Sequence, residues 1–167
     1  MIPNIWILIA SAFIPFLIAS VWFHPKVFGG NNWAKIAGLT DAQINTPIKP
    51  YKLGLSVLLN FLLAFGIYNL AVHVSGVFGL VDANLELMNS GTSLAFLEEY
   101  GQKHRSFRHG MIHGLFPGLL SFILPVLGYA MIFERKSLKY LFVNLGFWLI
   151  SMVLMGGVIC KWGVVEL

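Results

Sequence analysis

Charge is what this sequence has least of. Asp, Glu, Lys and Arg together make up 11% of its 167 residues, whereas 57% are hydrophobic. Soluble domains carry about a quarter charged residues, because most of their surface faces water. The shortage therefore excludes an ordinary soluble domain and predicts that much of this surface faces lipid. It also leaves the apolar runs with few ionisable groups for a proton relay or an ion pathway.

Cysteine and recognisable catalytic motifs are scarce as well. Cys160 is the single cysteine, so no intrachain disulfide can form and stability has to come from helix packing. No serine or cysteine stands beside a base in a known nucleophile motif. The Glu-x-x-His pattern is also missing, which argues against a zincin or a di-iron carboxylate bundle. The sequence thus favours a protein that is not an enzyme.

The positive net charge carries no signature of nucleic-acid binding. The formal charge is +4, but the basic residues lie in short segments between apolar runs, which is typical of membrane flanks. The sequence has neither a basic stripe nor a nucleic-acid recognition motif. We therefore expect the lipid bilayer as a partner and no nucleic acid.

Four apolar runs predict an all-α integral membrane protein with four transmembrane helices in one bundle. The predicted helices cover about residues 5–23, 53–75, 107–133 and 141–160. Each is close to the roughly 20 residues that cross a hydrocarbon core about 30 Å thick. The first run lacks the basic start of a signal peptide, so we expect it to be retained. No linker marks a second domain, so residues 1–167 are expected to form one transmembrane domain.

The first two loops are expected to carry short interfacial helices. In loop 1, NNWAKIAG predicts a short helix ended by Gly38, and Thr40 with a glutamine three residues later matches a capping box that opens another. Pro47 and Pro50 are expected to end that second helix. In loop 2, residues 81–108, SLAFLEEYG predicts an amphipathic helix lying along the interface.

The basic residues predict the orientation in the membrane. An even number of spans places both termini on one side. Loops 1 and 3 hold Lys26, Lys35, Lys49, Lys52, Arg135, Lys136 and Lys139, against Lys103, Arg105, Arg108 and Lys161 on the side of the termini. The positive-inside bias therefore predicts a multi-pass protein of the bacterial inner membrane with both termini in the periplasm.

Histidines are the side chains that could carry chemistry. His109 and His113 are four residues apart, so they share one face of a helix. The second span leaves the membrane on the side where the third one enters, which brings His73 to the same depth. His24 belongs to the opposite side, about 30 Å away.

These three histidines form a candidate site for a divalent transition metal, because imidazole nitrogens suit such ions. Further candidate ligands on that side are His104, Glu98 and Glu99. Haem ligation suits the pattern less well. Two alternatives stay open at this stage. The rings could bond backbone carbonyls or lipid phosphates at the interface, or they could hold an organic ligand or cofactor.

Small and amide residues in the spans predict helix packing. A stripe of glycines spaced four apart lets another helix approach closely. Asparagines within apolar spans usually form hydrogen bonds to a neighbouring helix. The residues concerned are Gly110, Gly114, Gly118, Asn60 and Asn144.

Two stretches, FIPFLIASVWFHPKVFGGNNWAKIAGLTDAQI and FRHGMIHGLFPG, resemble the hallmark segments of a protein family. The residues that carry the resemblance are Trp22, His24, Pro25, Phe28, Gly29, Trp33, His109, Gly110, His113 and Gly114. The family is the domain-of-unknown-function family 1761 of small bacterial polytopic membrane proteins. The resemblance implies a four-helix membrane protein without an established activity, in which the longer second loop is an insertion.

Three functions follow from these observations. The first is a non-enzymatic protein that associates with itself or belongs to a larger membrane complex through its glycine stripe and ordered loops. The second is a small metal-binding or transport protein that uses His73, His109 and His113. The third is a membrane-embedded redox enzyme with a cofactor, which only the histidines support.

Overall fold

The computed structural model describes residues 2–24, 27 and 32–165. Pro25, Lys26, Phe28 and Gly29, which entered the sequence analysis, lie outside the described residues. Helices dominate the described part. In chain order they are α1 (Ile5–Trp22), α2 (Asn32–Ala37), α3 (Asp41–Asn45), α4 (Pro50–Ala71), α5 (Val74–Leu80), α6 (Leu85–Met88), α7 (Gly91–Tyr100), α8 (Phe107–His113), a π-helical segment (Gly114–Ile123), α9 (Leu124–Phe133) and α10 (Leu138–Trp162).

Four helical stretches are long and apolar enough to cross a membrane. They are α1, α4, the continuous stretch Phe107–Phe133 and α10. The third stretch combines α8, the π-helical segment and α9. The predicted all-α class with four membrane-spanning helices is confirmed, and the chain is a multi-pass membrane protein.

The second and fourth spans differ from their predicted boundaries. α4 begins at Pro50 instead of residue 53, so Pro50 opens a helix and does not end the preceding one, since the fixed φ of proline suits a first helical turn. α4 ends at Ala71 instead of residue 75, because Val72 adopts an extended backbone (φ −103°, ψ 96°). α10 covers 138–162 instead of 141–160. Ser137 caps its start and accepts a hydrogen bond from the Tyr140 N–H at 3.2 Å.

α10 is the central helix of the bundle. It contacts α1, α4, α8 and the π-helical segment. In α10, 44% of the most apolar stretch is buried, compared with 22% in α1 and in α4. The outer faces of the other spans stay apolar and exposed, as in helices that face lipid. The largest fully buried side chains include Leu8, Ile67, Met152, Met155 and Ile159.

The first and last described segments of the chain meet at one end of the bundle. β1 (Ile2–Pro3) pairs antiparallel with β2 (Val164–Val165). Beside this pair, the Asn4 N–H donates to the Gly163 carbonyl at 2.8 Å. We call this end of the bundle, with α5, α7 and the start of α8, the terminal end. The other end, with α2, α3 and the turn at 134–137, is the loop end.

Contacts between aromatic rings stabilise the loop end. Trp33 of α2 contacts Phe23, with ring centroids 4.5 Å apart, and stacks on Tyr140 at 5.8 Å. Thr40 and Gln43 form the predicted capping box of α3, in which the Thr40 N–H donates to Gln43 Oε1 at 2.8 Å. The two ring contacts of Trp33 dock α2 against the ends of α1 and α10.

The other predicted interfacial helices are present too. α2 ends at Gly38, whose φ of 79° is the left-handed conformation that glycine adopts at helix ends. α7 occupies the predicted segment of loop 2, and its Leu97 packs against the core. Loop 2 therefore contacts the core at the terminal end through Leu97.

Candidate metal centre

His73 stands where α4 gives way to α5. Val72 leaves the helical conformation, and His73 returns to it (φ −63°, ψ −20°) as the residue before α5. Val72 and Val74 are buried, whereas His73 is exposed. The break between the two helices therefore turns the imidazole out of the core and towards the rings of α8.

α8 supplies the other two histidines from consecutive turns. Ser106 caps this helix, and its Oγ accepts a hydrogen bond from the His109 N–H at 3.2 Å. His109 and His113 lie on one face, with ring centroids 4.5 Å apart, and both are half-buried. A serine before a helix three residues ahead of His109 is an N-cap pattern, so the sequence contained this signal.

The ring nitrogens of the three histidines converge. His109 Nε2 lies 2.9 Å from His73 Nε2 and 3.0 Å from His113 Nε2. Each residue offers one ligand atom, and the three atoms lie within 4.8 Å of one another. A tetrahedral ion with Zn–N distances of about 2.0–2.1 Å holds its nitrogens about 3.4 Å apart. We call His73, His109 and His113 the histidine cluster.

Hydrogen bonding between the rings accounts for only one of these two contacts. A ring nitrogen has a single in-plane site, which holds either a proton or a lone pair. His109 Nε2 therefore forms one linear hydrogen bond, with His73 or with His113, although both nitrogens lie within 3.0 Å of it. A cation between the three nitrogens would accept all three lone pairs together.

His104 borders the cluster without joining it. Its ring stacks on His109 with centroids 5.0 Å apart and meets the His73 ring edge-on at 5.7 Å. Among the described residues, the group of converging ligand atoms consists of His73, His109 and His113 and does not include His104. His104 therefore packs against the cluster as an aromatic wall in this conformation.

The other candidate ligands lie elsewhere. Glu98 and Glu99 are exposed on α7 and do not belong to the group of converging ligand atoms found among the described residues. His24 follows α1 at the loop end. The 18 residues of α1 separate it from the terminal end by about 27 Å at 1.5 Å per residue.

Glycines set the position of α8. A Cβ at Gly110 would overlap the carbonyl oxygen of Gly156, and one at Gly114 would overlap that of Met152. A Cβ at Gly118 would lie 2.7 Å from Met152 Cε. The backbones of α8 and α10 thus approach to a distance that only glycine allows, and the histidines occupy the remaining surface of α8.

The two asparagines in the spans have different surroundings. Asn144 Nδ2 donates to the Tyr140 carbonyl at 2.7 Å, so this hydrogen bond stays within α10 and does not join two helices. Asn60 is buried beside a cavity of about 440 Å³ between α1, α4 and α10. That cavity lies away from the histidine cluster, because Phe23 and Lys52 also line it.

Three long-range contacts that the sequence does not signal lie at the terminal end, and two of them hold the segment before α8. Cys160 Sγ contacts the carbonyl oxygens of Ala71 at 3.4 Å and of His104 at 3.3 Å. Arg105 Nη2 donates to the Val164 carbonyl at 3.3 Å. The two residues of each contact are 56 to 89 positions apart along the chain, so no local sequence pattern predicts these contacts.

Comparison with known proteins gives a family and no activity. A family model described as a protein of unknown function, DUF1761, matches residues 6–160, which include the whole histidine cluster. No curated protein and no solved structure matches the chain. The resemblance deduced from the sequence is confirmed. The chain, an all-α membrane protein with three converging histidines at one end, belongs to the DUF1761 family.

Proposed function

We propose that this protein binds a divalent transition metal ion through His73, His109 and His113 at the terminal end of its helix bundle. The convergence of three Nε2 atoms carries the proposal, with His109 Nε2 at 2.9 Å and 3.0 Å from the other two. Pairwise hydrogen bonding accounts for one of these contacts at a time, whereas a shared cation would bind all three ring nitrogens together.

The ligand set favours zinc or copper. Three imidazoles suit these ions, whereas magnesium and calcium prefer oxygen ligands. Three protein ligands leave one position of a tetrahedral ion open, which is typical of sites that exchange a ligand and not of structural zinc sites with four closed positions. The exposed edge of His73 gives an ion access to the site. The protein would thus capture the metal or present it to a ligand.

Haem is a poorer fit for the same residues. Bis-histidine ligation places its two nitrogens on opposite faces of the porphyrin with the iron between them. The nitrogens of His73, His109 and His113 instead converge within 4.8 Å of one another. This geometry argues against the haem version of the cofactor-dependent redox enzyme.

We further propose that residues 1–167 form one transmembrane domain in a bacterial inner membrane, with the terminal end in the periplasm. The contacts of α10 with each of the other spans support one domain. The excess of basic residues in loops 1 and 3 supports the orientation. The metal site would then face the periplasm.

Membership of a larger complex, or self-association, stays a prediction. This prediction rests on the glycine stripe and the ordered loops. Gly110 and Gly114 pack against α10 of the same chain, so they offer no seam to a second protein. α2 likewise packs against α10. Neither feature now points to a partner, so this function ranks below metal binding.

Zinc titration of the purified protein in detergent tests the proposal. After chelation, reloading and desalting, we expect about one zinc ion per chain by elemental analysis. The double variant His109→Ala/His113→Ala should lose this zinc, because two of three ligands are gone.

The matched control is His24→Ala, which removes a histidine at the loop end and should keep the zinc. Gel-filtration profiles and far-UV circular dichroism establish that each variant is folded. If the folded wild-type protein retains no stoichiometric zinc, cobalt or copper, metal binding is wrong.

A further inference from the structure

A cavity of about 240 Å³ adjoins the histidine cluster. It lies between α5, α7 and the segment that leads into α8. His73 and His104 belong to its wall, so one side of the cavity is the edge of the cluster itself. A molecule in this cavity would therefore contact His73, one of the three proposed metal ligands.

The cavity is apolar over most of its wall. Val74 and Val77 of α5 face Phe96 and Leu97 of α7 across it. Such a wall stabilises hydrocarbon by about 25 cal/mol for each Å² removed from water. The body of a suitable ligand is therefore apolar.

The polar side of the cavity carries the positive charge of Arg105. Arg105 lines it together with His73 and His104, and none of the described residues that line it is acidic. Tyr100 also lines the cavity. A hydrogen bond between the side chains of Tyr100 and Glu99 raises the pKa of Tyr100, and burial raises it further, so Tyr100 adds no negative charge at neutral pH. A divalent ion on three neutral imidazoles adds further positive charge. The head of a suitable ligand is therefore an anion.

We propose that the cavity binds a small apolar carboxylate whose head takes the open coordination position of the metal ion. This inference rests on the proposed function. Its carboxylate oxygen would complete the coordination of the ion beside Arg105, while its hydrocarbon body lies between α5 and α7.

The volume sets the length of the ligand. An apolar cavity of about 150 Å³ binds benzene, which has six non-hydrogen atoms. By the same ratio, a cavity of about 240 Å³ holds about ten. Octanoate has that size.

Cobalt-loaded protein makes the binding visible, because the visible absorption of Co²⁺ responds to a fourth ligand. We would titrate it with acetate, butanoate, hexanoate, octanoate and dodecanoate at submillimolar concentrations. Affinity should rise about fourfold for each added methylene up to about octanoate, since each buried methylene contributes about 0.8 kcal/mol. It should then level off or fall, because the cavity is full.

Val77→Trp provides the structural test, since the indole fills the cavity and Val77 is not itself a proposed metal ligand. We expect this variant to keep its cobalt spectrum and to lose at least tenfold in octanoate affinity. The matched control is Leu80→Trp on the same helix, where the native side chain is 87% exposed and does not line the cavity. Val77→Phe serves if the tryptophan variant does not fold.

The outcomes separate the two proposals. If the protein binds no cobalt, the proposed function and this inference both fall. If cobalt binds and acetate changes its spectrum as strongly as octanoate, the cavity plays no part and the inference is wrong. An affinity that keeps rising to dodecanoate, equally in Val77→Trp and the wild type, indicates partition into detergent and also overturns it.

Discussion

The two ends of the helix bundle are closed by different kinds of contact. At the loop end, Trp33 packs on Phe23 and Tyr140, and Lys136 Nζ donates to the Ala37 carbonyl at 3.1 Å. At the terminal end, three imidazoles converge at distances that their own hydrogen bonds account for only in part. Among the described residues of the loop end, no comparable group of ligand atoms converges. We propose that a cation completes the interactions of the terminal end.

The same contrast exists between the two faces of α8. One face carries Gly110, which meets the backbone of α10 at Gly156. The other carries His109 and His113. A tightly packed face leaves α8 little freedom to move, and this rigidity holds the two imidazoles in register for a common ligand.

The largest expected effect comes from the packed face. Gly110→Ala places a Cβ against the Gly156 carbonyl oxygen and should destabilise the protein by about 3 kcal/mol, because backbone atoms cannot move aside. Zinc should be lost together with stability. Thermal unfolding in detergent and zinc content are the measurements.

Gly66→Ala is the matched control. A Cβ at Gly66 meets nothing within 4 Å, so alanine should stabilise α4 by about 0.5–1 kcal/mol through its lower chain entropy. Equal unfolding temperatures for the two variants would show that α8 does not approach α10 this closely.

The next largest effect is the difference in zinc affinity between a variant that loses a metal ligand and one that loses a neighbouring ring. His73→Ala removes one of three converging nitrogens and should weaken zinc binding about 100-fold. His104→Ala removes a stacked ring outside that group and should weaken it about tenfold at most. Competition with a zinc-binding dye measures both affinities. A larger loss at His104 than at His73 would contradict the assignment of ligands.

The loop end should respond in stability alone. Trp33→Ala removes contacts with two aromatic rings and should cost about 2 kcal/mol, with zinc affinity unchanged. Trp6→Ala is its control, because Trp6 is 75% exposed and its loss should cost less than about 0.5 kcal/mol. Reduced zinc affinity in folded Trp33→Ala would show that the two ends are coupled.

The smallest effect is expected at the cap of α8. Ser106→Ala removes the acceptor of the His109 N–H and should cost about 1 kcal/mol of stability. Fraying of this turn should lower zinc affinity about threefold. Ser106→Asp, which restores a capping acceptor, should recover both quantities in the same unfolding and competition assays. No recovery would mean that the serine acts through something other than the cap.

The membrane spans can be predicted from the sequence because lipid imposes a simple rule on the backbone. Backbone groups in hydrocarbon must be satisfied within the segment, so long apolar runs become helices. The boundaries were less well predicted. Pro50 looked like a stop signal after Thr40, yet it opens α4, since proline also suits a first turn. Which role it takes depends on the residues that pack around it.

The members of the histidine cluster can be predicted only in part from the sequence. The spacing of His109 and His113 indicates one face of a helix, and topology assigned His73 to the same depth. The exclusion of His104, Glu98 and Glu99 from the cluster required the path of loop 2. That path depends on α5 and α7 packing over the terminal end, which no local pattern specifies.

The sequence by itself determined that the chain has four membrane-spanning helices, that their termini share a side and that four of five histidines belong there. Composition and helical period decide these features, because they depend on lipid and on the backbone alone. Only the tertiary structure decided which rings converge. Ring nitrogens 2.9 Å apart on residues 36 positions apart require the break at Val72 and the glycine contact between α8 and α10 together. The same packing created the cavity beside them, since its walls come from segments that meet only in the folded chain.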